Sequence, residues 1–149
     1  MAKRTAMTEH DRAVLLKRYN DKSFEDSSIM ANILAVEDAA TMRQVVNFTL
    51  TDAGHTVSEA ANVDEALARI ANQRFDLIIC DVNMPGKSGL ELVKLLRARA
   101  DSRFVPILML TTEHREELKA QGRAAGATGW IVKPFDPSVL LDVVKKVMK

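Results

Sequence analysis

The stretch from Asp76 to Leu90 constrains the fold more than any other part of the sequence. It contains the short unbroken apolar run Leu-Ile-Ile-Cys at positions 77–80, followed within ten residues by one proline and two glycines. A run of this length between turn-forming residues is typical of a strand that is covered on both faces, as in the centre of a parallel sheet. Because the run stops at Asp81, the sequence predicts a carboxylate at the carboxyl end of this strand, where open α/β sheets bind ligands.

Short strands and amphipathic helices alternate along the chain from residue 32. Strands are predicted at residues 33–36, 56–60, 77–80, 106–110 and 129–132, and helices at 41–53, 62–72, 90–97, 113–125 and from Asp136 onward. Five strands alternating with five helices predict an α/β protein with a doubly wound five-stranded parallel sheet. We expect the strand order 2-1-3-4-5, which places the switch point between the first and third strands.

The first 30 residues differ from this regular pattern. Thr8 to Tyr19 has the spacing of a short amphipathic helix, and residues 20–28 form a polar linker. We interpret residues 1–30 as a loosely attached N-terminal extension, or as an overlong start ahead of Met30. A dedicated docking helix is the alternative. Residues 31–149 are predicted to form one domain.

Composition narrows the class of protein. A formal net charge of +1 over 149 residues gives no reason to expect a nucleic-acid or membrane partner. The single cysteine, Cys80, lies inside the apolar strand, which predicts a buried thiol. No apolar run reaches transmembrane length and no signal-peptide pattern is visible, so we expect a cytoplasmic protein.

Chemically active side chains follow four of the five predicted strands. Glu37 and Asp38 follow the first strand, Asp81 the third, Thr111 the fourth and Lys133 the fifth. Each residue alone is more simply explained as a helix cap or a solvated charge. Because the carboxyl ends of parallel strands share one edge of the sheet, we expect all five to lie together, and their coincidence points to a functional site.

The residue types at this edge suit phosphoryl transfer. Three carboxylates repel one another unless a cation lies between them, and Mg²⁺ prefers oxygen ligands together with water and phosphate oxygens. A lysine and a hydroxyl would then hold the oxygens of the transferred group. The sequence therefore predicts that Asp81 is a nucleophile forming an aspartyl phosphate, with Lys133 and Thr111 on the phosphoryl oxygens.

A family resemblance rests on four motifs. They are Val-Glu-Asp at 36–38, Cys-Asp-Val-Asn-Met-Pro-Gly at 80–86, Met-Leu-Thr-Thr-Glu at 109–113 and Gly-Trp-Ile-Val-Lys-Pro-Phe at 129–135. With them, residues 32–148 resemble the receiver domains of two-component response regulators, most of all the single-domain chemotaxis regulators. The resemblance implies a flavodoxin-like receiver fold for residues 31–149.

The resemblance also implies a ligand set for the metal. Mg²⁺ would be held by Asp38, Asp81 and the main-chain carbonyl of Asn83, and by Glu37 through water. Glu37 departs from the family, in which Asp is commoner. The resemblance further implies that Asp81 is the phosphoacceptor and that Lys133 precedes its proline through a cis bond.

Switching and dephosphorylation residues are implied in the same way. Asn83 and Glu113 stand where the family sets its rate of self-dephosphorylation. Trp130 replaces the commoner Tyr or Phe at the switch position, next to the fourth helix and on the opposite face of its strand from Lys133. Phosphorylation would draw the Thr111 hydroxyl toward the phosphoryl group and let the indole turn inward.

A signalling switch is the function that the sequence favours. The resemblance implies a monomer that takes its phosphoryl group from a sensor histidine kinase and binds a downstream protein, such as a flagellar motor component, in chemotaxis. A phosphorelay or another regulatory pathway is the alternative. A catalysed reaction is expected only on the protein's own Asp81.

Three other functions fit the sequence less well. A Mg²⁺-dependent aspartyl-phosphate phosphatase places a second catalytic Asp two residues after its nucleophile, where this chain has Asn83. A binding-only receiver would not need the intact set of Asp81, Thr111 and Lys133. A DNA-binding regulator is disfavoured because no output domain follows the last predicted helix.

Overall fold

The computed structural model describes residues 30–113 and 115–148, and the helix and linker predicted before Met30 lie outside them. Ten elements alternate along the chain: β1 (Asn32–Val36), α1 (Ala40–Asp52), β2 (Thr56–Ala60), α2 (Val63–Asn72), β3 (Leu77–Asp81), α3 (Gly89–Arg97), β4 (Ile107–Thr111), α4 (Glu116–Ala125), β5 (Gly129–Val132) and α5 (Pro137–Met148). None of the helices described is long and apolar enough to cross a membrane.

The five strands form one parallel sheet in the order β2-β1-β3-β4-β5, which confirms the predicted fold and strand order. The central strand β3 is buried at every position. Two strands extend one residue further than expected, because Asp81 pairs with Leu110 and Thr111 pairs with Val132. Asp81 and Thr111 are therefore the last residues of their strands, and the sheet's hydrogen bonds fix their main chains.

The core lies in two layers, one on each face of the sheet. Helices α1 and α5 cover one face, where Val46 and Leu140 pack against strand residues such as Ile79. Helices α2, α3 and α4 cover the other, where Leu92 packs against residues such as Ile78. Burial of apolar surface on both faces is the main stabilising contribution, and it leaves the carboxyl edge of the sheet as the place where polar side chains collect.

Side-chain caps fix where several helices begin. Asn62 accepts a hydrogen bond from the N–H of Glu65 at the start of α2, as its spacing predicted. Ser88 and Glu91 form a reciprocal capping box at α3. The start of α4 was predicted wrongly at Glu113, whose N–H instead donates to the Thr111 side chain, so that residue belongs to the loop.

The guanidinium of Arg97, at the end of α3, binds carbonyls of two segments of main chain, residues 102–105 and Gly126. Its Nε donates to the carbonyl of Gly126 at 2.9 Å, and one terminal nitrogen donates to the carbonyl of Val105 at 2.6 Å. The same nitrogen reaches the carbonyls of Ser102 and Arg103. Burial lowers the pKa of Arg97, so these carbonyl contacts hold a partly desolvated cation.

We expect removal of residues 1–29 to leave the domain folded, with a melting temperature within about 3 °C of the full chain. The reason is that every element of the sheet and both of its helical layers lie after Met30. Circular dichroism of the shortened and full-length proteins checks this prediction. A larger fall in melting temperature would mean that apolar residues such as Leu15 or Tyr19 contribute to the core.

Candidate functional site

Three carboxylates lie together where β1 and β3 end. One carboxylate oxygen from each of Glu37, Asp38 and Asp81 lies within 4.8 Å of the others. Glu37 and Asp81 are only 1% and 3% exposed, whereas Asp38 is exposed. Because Val36 is paired with Cys80 in the sheet, the acidic residues that follow these positions meet at one edge, as the sequence indicated.

A lysine completes this acidic cluster. The Nζ of Lys133 lies 3.0 Å from Glu37 Oε1 and 3.2 Å from Asp81 Oδ1. The Lys133 side chain is 13% exposed, so its charge and two of the carboxylates share a poorly solvated space. Lys133 is joined to Pro134 by a cis peptide bond, as the family resemblance implied. The N–H of Lys133 donates to the carbonyl of Thr111, which ties the end of β5 to that of β4.

The charges in the cluster are unevenly balanced. Burial, and after it the charge of Glu37, raise the pKa of Asp81 to about 6 against the opposing effect of Lys133. Burial disfavours the charged form of Lys133, but its hydrogen bond to Glu37 and the charge of Asp81 raise its pKa overall. A single lysine therefore remains protonated and only partly compensates the carboxylates around it.

The other predicted site residues surround the cluster. Thr111 is fully buried, and its Oγ1 accepts a hydrogen bond from the N–H of Glu113 at 3.0 Å. The N–H of Asn83 donates to Asp81 Oδ1 at 3.4 Å, and the residue itself is exposed. Glu113 pairs with Arg115 at 2.9 Å. The Thr111 hydroxyl is thus buried, whereas Glu113 is partly exposed and Asn83 is exposed.

Trp130 lies on β5, paired with Met109, and packs on the face of the sheet that α2, α3 and α4 cover. Its ring is close to Gly122 of α4, which confirms the predicted contact with the fourth helix. The indole Nε1 is buried and has no hydrogen-bond partner among the residues described. Trp130 therefore lies outside the acidic cluster that Lys133 joins.

Comparison with known families decides the class of protein. Residues 33–145 match the family described as the response regulator receiver domain. This chain belongs to the response regulator receiver family. Receiver domains are signalling switches rather than conventional enzymes, and they bind Mg²⁺ in an acidic active site.

Two relatives of the receiver illustrate its similarity to known regulators. It is 40% identical over 117 residues to the phosphate regulon transcriptional regulatory protein PhoB of Klebsiella pneumoniae, covering 78% of this chain and 51% of PhoB. It is 35% identical over 118 residues to the chemotaxis protein CheY of Pseudomonas aeruginosa, covering 78% of this chain and 95% of that protein. The receiver thus spans about half the length of PhoB and nearly all of CheY.

Two solved structures share the fold. The chemotaxis protein CheY4 of Vibrio cholerae is 52% identical with a TM-score of 0.77, over 79% of this chain and 98% of that one. The receiver domain of the sensor histidine kinase PA1611 of Pseudomonas aeruginosa is 27% identical with a TM-score of 0.74, over 79% and 97%. The PA1611 structure has a magnesium ion coordinated in its active-site cleft.

Gly89 is a residue of the receiver that the sequence did not single out for the site. It is the first residue of α3, and its N–H donates to the carbonyl of Val82. A Cβ at this position would lie 2.1 Å from the carbonyl oxygen of Asp81. The spacing of Ser88 and Glu91 could have predicted the start of the helix. No local pattern indicates the close approach to the main chain of Asp81.

The receiver should be more stable at neutral pH when Asp81 is replaced by Asn. The folded-state pKa of Asp81 is about 6, above its usual 3.8. The folded protein therefore binds more protons than the unfolded chain between these values, and the free energy of unfolding falls as pH rises through that window. The shift corresponds to at most about 3 kcal/mol.

Urea unfolding in EDTA checks this prediction at about pH 7.5 and about pH 4. We expect Asp81→Asn to exceed the wild-type free energy of unfolding by about 1–3 kcal/mol at the higher pH, with the difference shrinking toward the lower. Asp142→Asn, an exposed change on α5, is the matched control without such a trend. A lower stability of Asp81→Asn at neutral pH would contradict the prediction, because it would mean that attraction to Lys133 dominates.

Proposed function

We propose that this receiver domain is a phosphorylation-activated switch in which Asp81 accepts a phosphoryl group from the phosphohistidine of a sensor histidine kinase. The observation that carries the proposal is the meeting of Glu37, Asp38, Asp81 and Lys133 at the carboxyl edge of the sheet. Such a set provides a nucleophilic carboxylate, oxygen ligands for a divalent cation and a fixed positive charge. A purely structural ion pair would not need the third carboxylate.

The donor set fits Mg²⁺. The three carboxylates offer hard oxygen ligands within 4.8 Å of one another. The burial of Asp81 and the charge of Glu37 leave Asp81 short of compensating charge. Asp38, Asp81 and the main-chain carbonyl of Asn83 would hold the ion, with Glu37 acting through water. When bound, Mg²⁺ neutralises charge on the phosphoryl oxygens. The magnesium ion in the PA1611 receiver supports this assignment.

Each side chain has a definite part in the transfer. An O–P bond forms at the Asp81 carboxylate while the N–P bond of the donor breaks, and the leaving imidazole takes up a proton from water. Lys133, already 3.2 Å from Asp81, would hold a phosphoryl oxygen through a charge-assisted hydrogen bond. The Thr111 hydroxyl, which now accepts from the N–H of Glu113, would donate a hydrogen bond to another phosphoryl oxygen. Asn83, which is exposed, and Glu113, which is partly exposed, would govern the access of the water that later hydrolyses the aspartyl phosphate.

The output is a change in partner binding. We propose that movement of Thr111 toward the phosphoryl group alters the packing of Trp130 against α4, and that the surface around this helix binds a downstream protein. Chemotaxis is the pathway we favour, with a flagellar motor component as the downstream class of partner. The support is the similarity of this chain to two chemotaxis proteins, CheY of Pseudomonas aeruginosa at 35% identity and CheY4 of Vibrio cholerae at 52% identity.

Intact-mass spectrometry after incubation with acetyl phosphate and Mg²⁺ tests the proposed function. We expect one phosphoryl adduct per chain, no adduct in the presence of EDTA, and hydrolysis of the adduct over time. The absence of any adduct with either acetyl phosphate or a phosphorylated histidine kinase would overturn the proposal. Several adducts of equal intensity would contradict a single acceptor.

Lys133→Ala and Thr111→Ala should uncouple the switch. Each variant loses a hydrogen bond to the phosphoryl oxygens. A bond to a charged group contributes about 1.5–3 kcal/mol, or about 10- to 160-fold in the switching equilibrium. In the wild type, beryllofluoride with Mg²⁺ is expected to shift Trp130 emission to shorter wavelength and to reduce its quenching by acrylamide. Both changes should be strongly reduced in the variants.

Neighbouring residues of the same type provide matched controls for this experiment. Thr112 follows Thr111 directly but is exposed, and Lys145 is exposed on α5. Alanine at either position should leave the emission change as in the wild type. A full emission change in both Lys133→Ala and Thr111→Ala would show that the signal does not pass through these contacts.

A further inference from the structure

The indole of Trp130 occupies space that a glycine provides. Gly122 is a buried residue in the interior of α4, and a Cβ built on it would lie 2.5 Å from Cζ3 and 3.2 Å from Cε3 of the indole. Both atoms belong to the six-membered ring, so any side chain at this position would meet the ring directly. Glycine inside a helix is less favourable than alanine, which indicates that Gly122 serves the contact rather than the helix.

The packed position of the indole combines opposing contributions. Its ring joins the apolar layer on the α4 side of the sheet, where burial favours it. Its Nε1 is buried, and no acceptor in the described part of the chain binds it. A buried donor without an acceptor costs free energy that contact with water would restore. A small change in the space available beside α4 should therefore shift the position of the indole.

We propose that Gly122 is the positioning residue for Trp130, because the lack of a side chain at position 122 sets the fraction of molecules in which the indole packs against α4. The inference deepens the proposed function and rests on it to the extent that Trp130 reports the state of the site. A methyl group at position 122 would push the ring away from the helix and bring Nε1 into contact with water. The helix itself would gain stability from the same change.

Fluorescence of Gly122→Ala is the first test. Trp130 is the only tryptophan, so tryptophan emission reports on this side chain alone. We expect emission at longer wavelength and a larger acrylamide quenching constant than in the wild type. Gln121→Ala, at the exposed neighbouring position on α4, is the matched control and should change neither quantity. Wild-type emission and quenching in Gly122→Ala would overturn the proposal.

A second test uses the smaller ring of phenylalanine at position 130. In the wild-type background we expect Gly122→Ala to lower the melting temperature, because the methyl group displaces the indole. In the Trp130→Phe background the same change should raise it, because the gain in helix propensity is all that remains. The same sign and size of change in both backgrounds would overturn the proposal. If Gly122→Ala alone fails to fold, the double variant with Trp130→Phe decides. A folded double variant supports a clash between the methyl group and the indole, and an unfolded double variant overturns the proposal.

Phosphorylation measured separately keeps this inference apart from the proposed function. Gly122→Ala should take up the phosphoryl group from acetyl phosphate as the wild type does, because position 122 lies outside the acidic cluster. If Gly122→Ala forms the adduct but its tryptophan emission equals that of the wild type, only the role of Gly122 is overturned. If neither protein forms an adduct with acetyl phosphate or with a phosphorylated histidine kinase, the proposed function fails. The emission and melting data without acetyl phosphate would still decide whether Gly122 positions the indole.

Discussion

Asparagine in place of Asp81 is expected to abolish the uptake of a phosphoryl group from acetyl phosphate. The amide keeps the shape of the carboxylate but has no negatively charged oxygen to attack phosphorus. In intact-mass spectrometry the wild-type protein should carry one adduct in the presence of Mg²⁺, and Asp81→Asn should carry none above background. The Asp142→Asn control, an exposed change on α5, should form the adduct as the wild type does.

Loss of fold would not explain this result. The raised pKa of Asp81 shows that its charge is a net cost to the folded protein, so the asparagine variant is expected to be folded and more stable at neutral pH. Melting curves recorded on the same samples provide the check. An adduct of equal intensity in Asp81→Asn would place the phosphoacceptor at another residue and would remove the main support for the proposed function.

Alanine in place of Gly89 is expected to destabilise the domain by about 3 kcal/mol, at the upper end of overpacking costs, and to lower its melting temperature by about 10 °C. The added Cβ would lie 2.1 Å from the carbonyl oxygen of Asp81 and 3.0 Å from the sulfur of Cys80. Neither group can move aside easily, because both belong to the buried central strand β3. The strain would act on the main chain of the proposed phosphoacceptor, so phosphorylation of the folded fraction should also slow.

Gly86→Ala, in the loop just before α3, provides a matched control. Gly86 has a φ of 80°, but no atom lies within 4 Å of the position that its Cβ would take. Its replacement should cost only the left-handed backbone conformation, about 1–2 kcal/mol. Thermal unfolding of both variants separates the two effects. Gly89 does not have a positive φ, so only the contact with Asp81 can make its replacement the costlier one. A loss at position 89 no larger than the loss at position 86 would contradict the predicted clash.

The sequence predicted the parts of this protein that depend on regular periodicity. A short apolar run that ends in Asp81 indicates a central strand. Strands that alternate with helices along the chain indicate a parallel sheet. Once the strands are parallel, the residues that end them must meet at one edge. That is why Glu37, Asp38 and Lys133 could be placed near Asp81 before their distances were known.

Contacts between distant segments could not be predicted in this way. The approach of Gly89 to the carbonyl of Asp81 depends on the path of a loop, and that path leaves no periodic pattern. The contact between Gly122 and Trp130 requires the exact position of α4 above the sheet. Strands β3 and β4 each end one residue later than predicted, at Asp81 and Thr111, because these residues still pair with the neighbouring strand. The apolar pattern of the sequence ends one residue earlier, so it predicted shorter strands.

The contacts of Arg97 have a mechanical consequence for α4. The guanidinium holds the carbonyl of Gly126, immediately after the last turn of this helix, to the end of α3. The opposite end begins after Arg115, which makes no side-chain capping hydrogen bond. A helix fixed at one end and less restrained at the other moves as a lever, so a displacement that begins near Thr111 becomes a tilt about Gly126. We expect the tilt to be largest at Glu116 and smallest at Ala125, so a partner that distinguishes the two states would gain most by contacting the first turn.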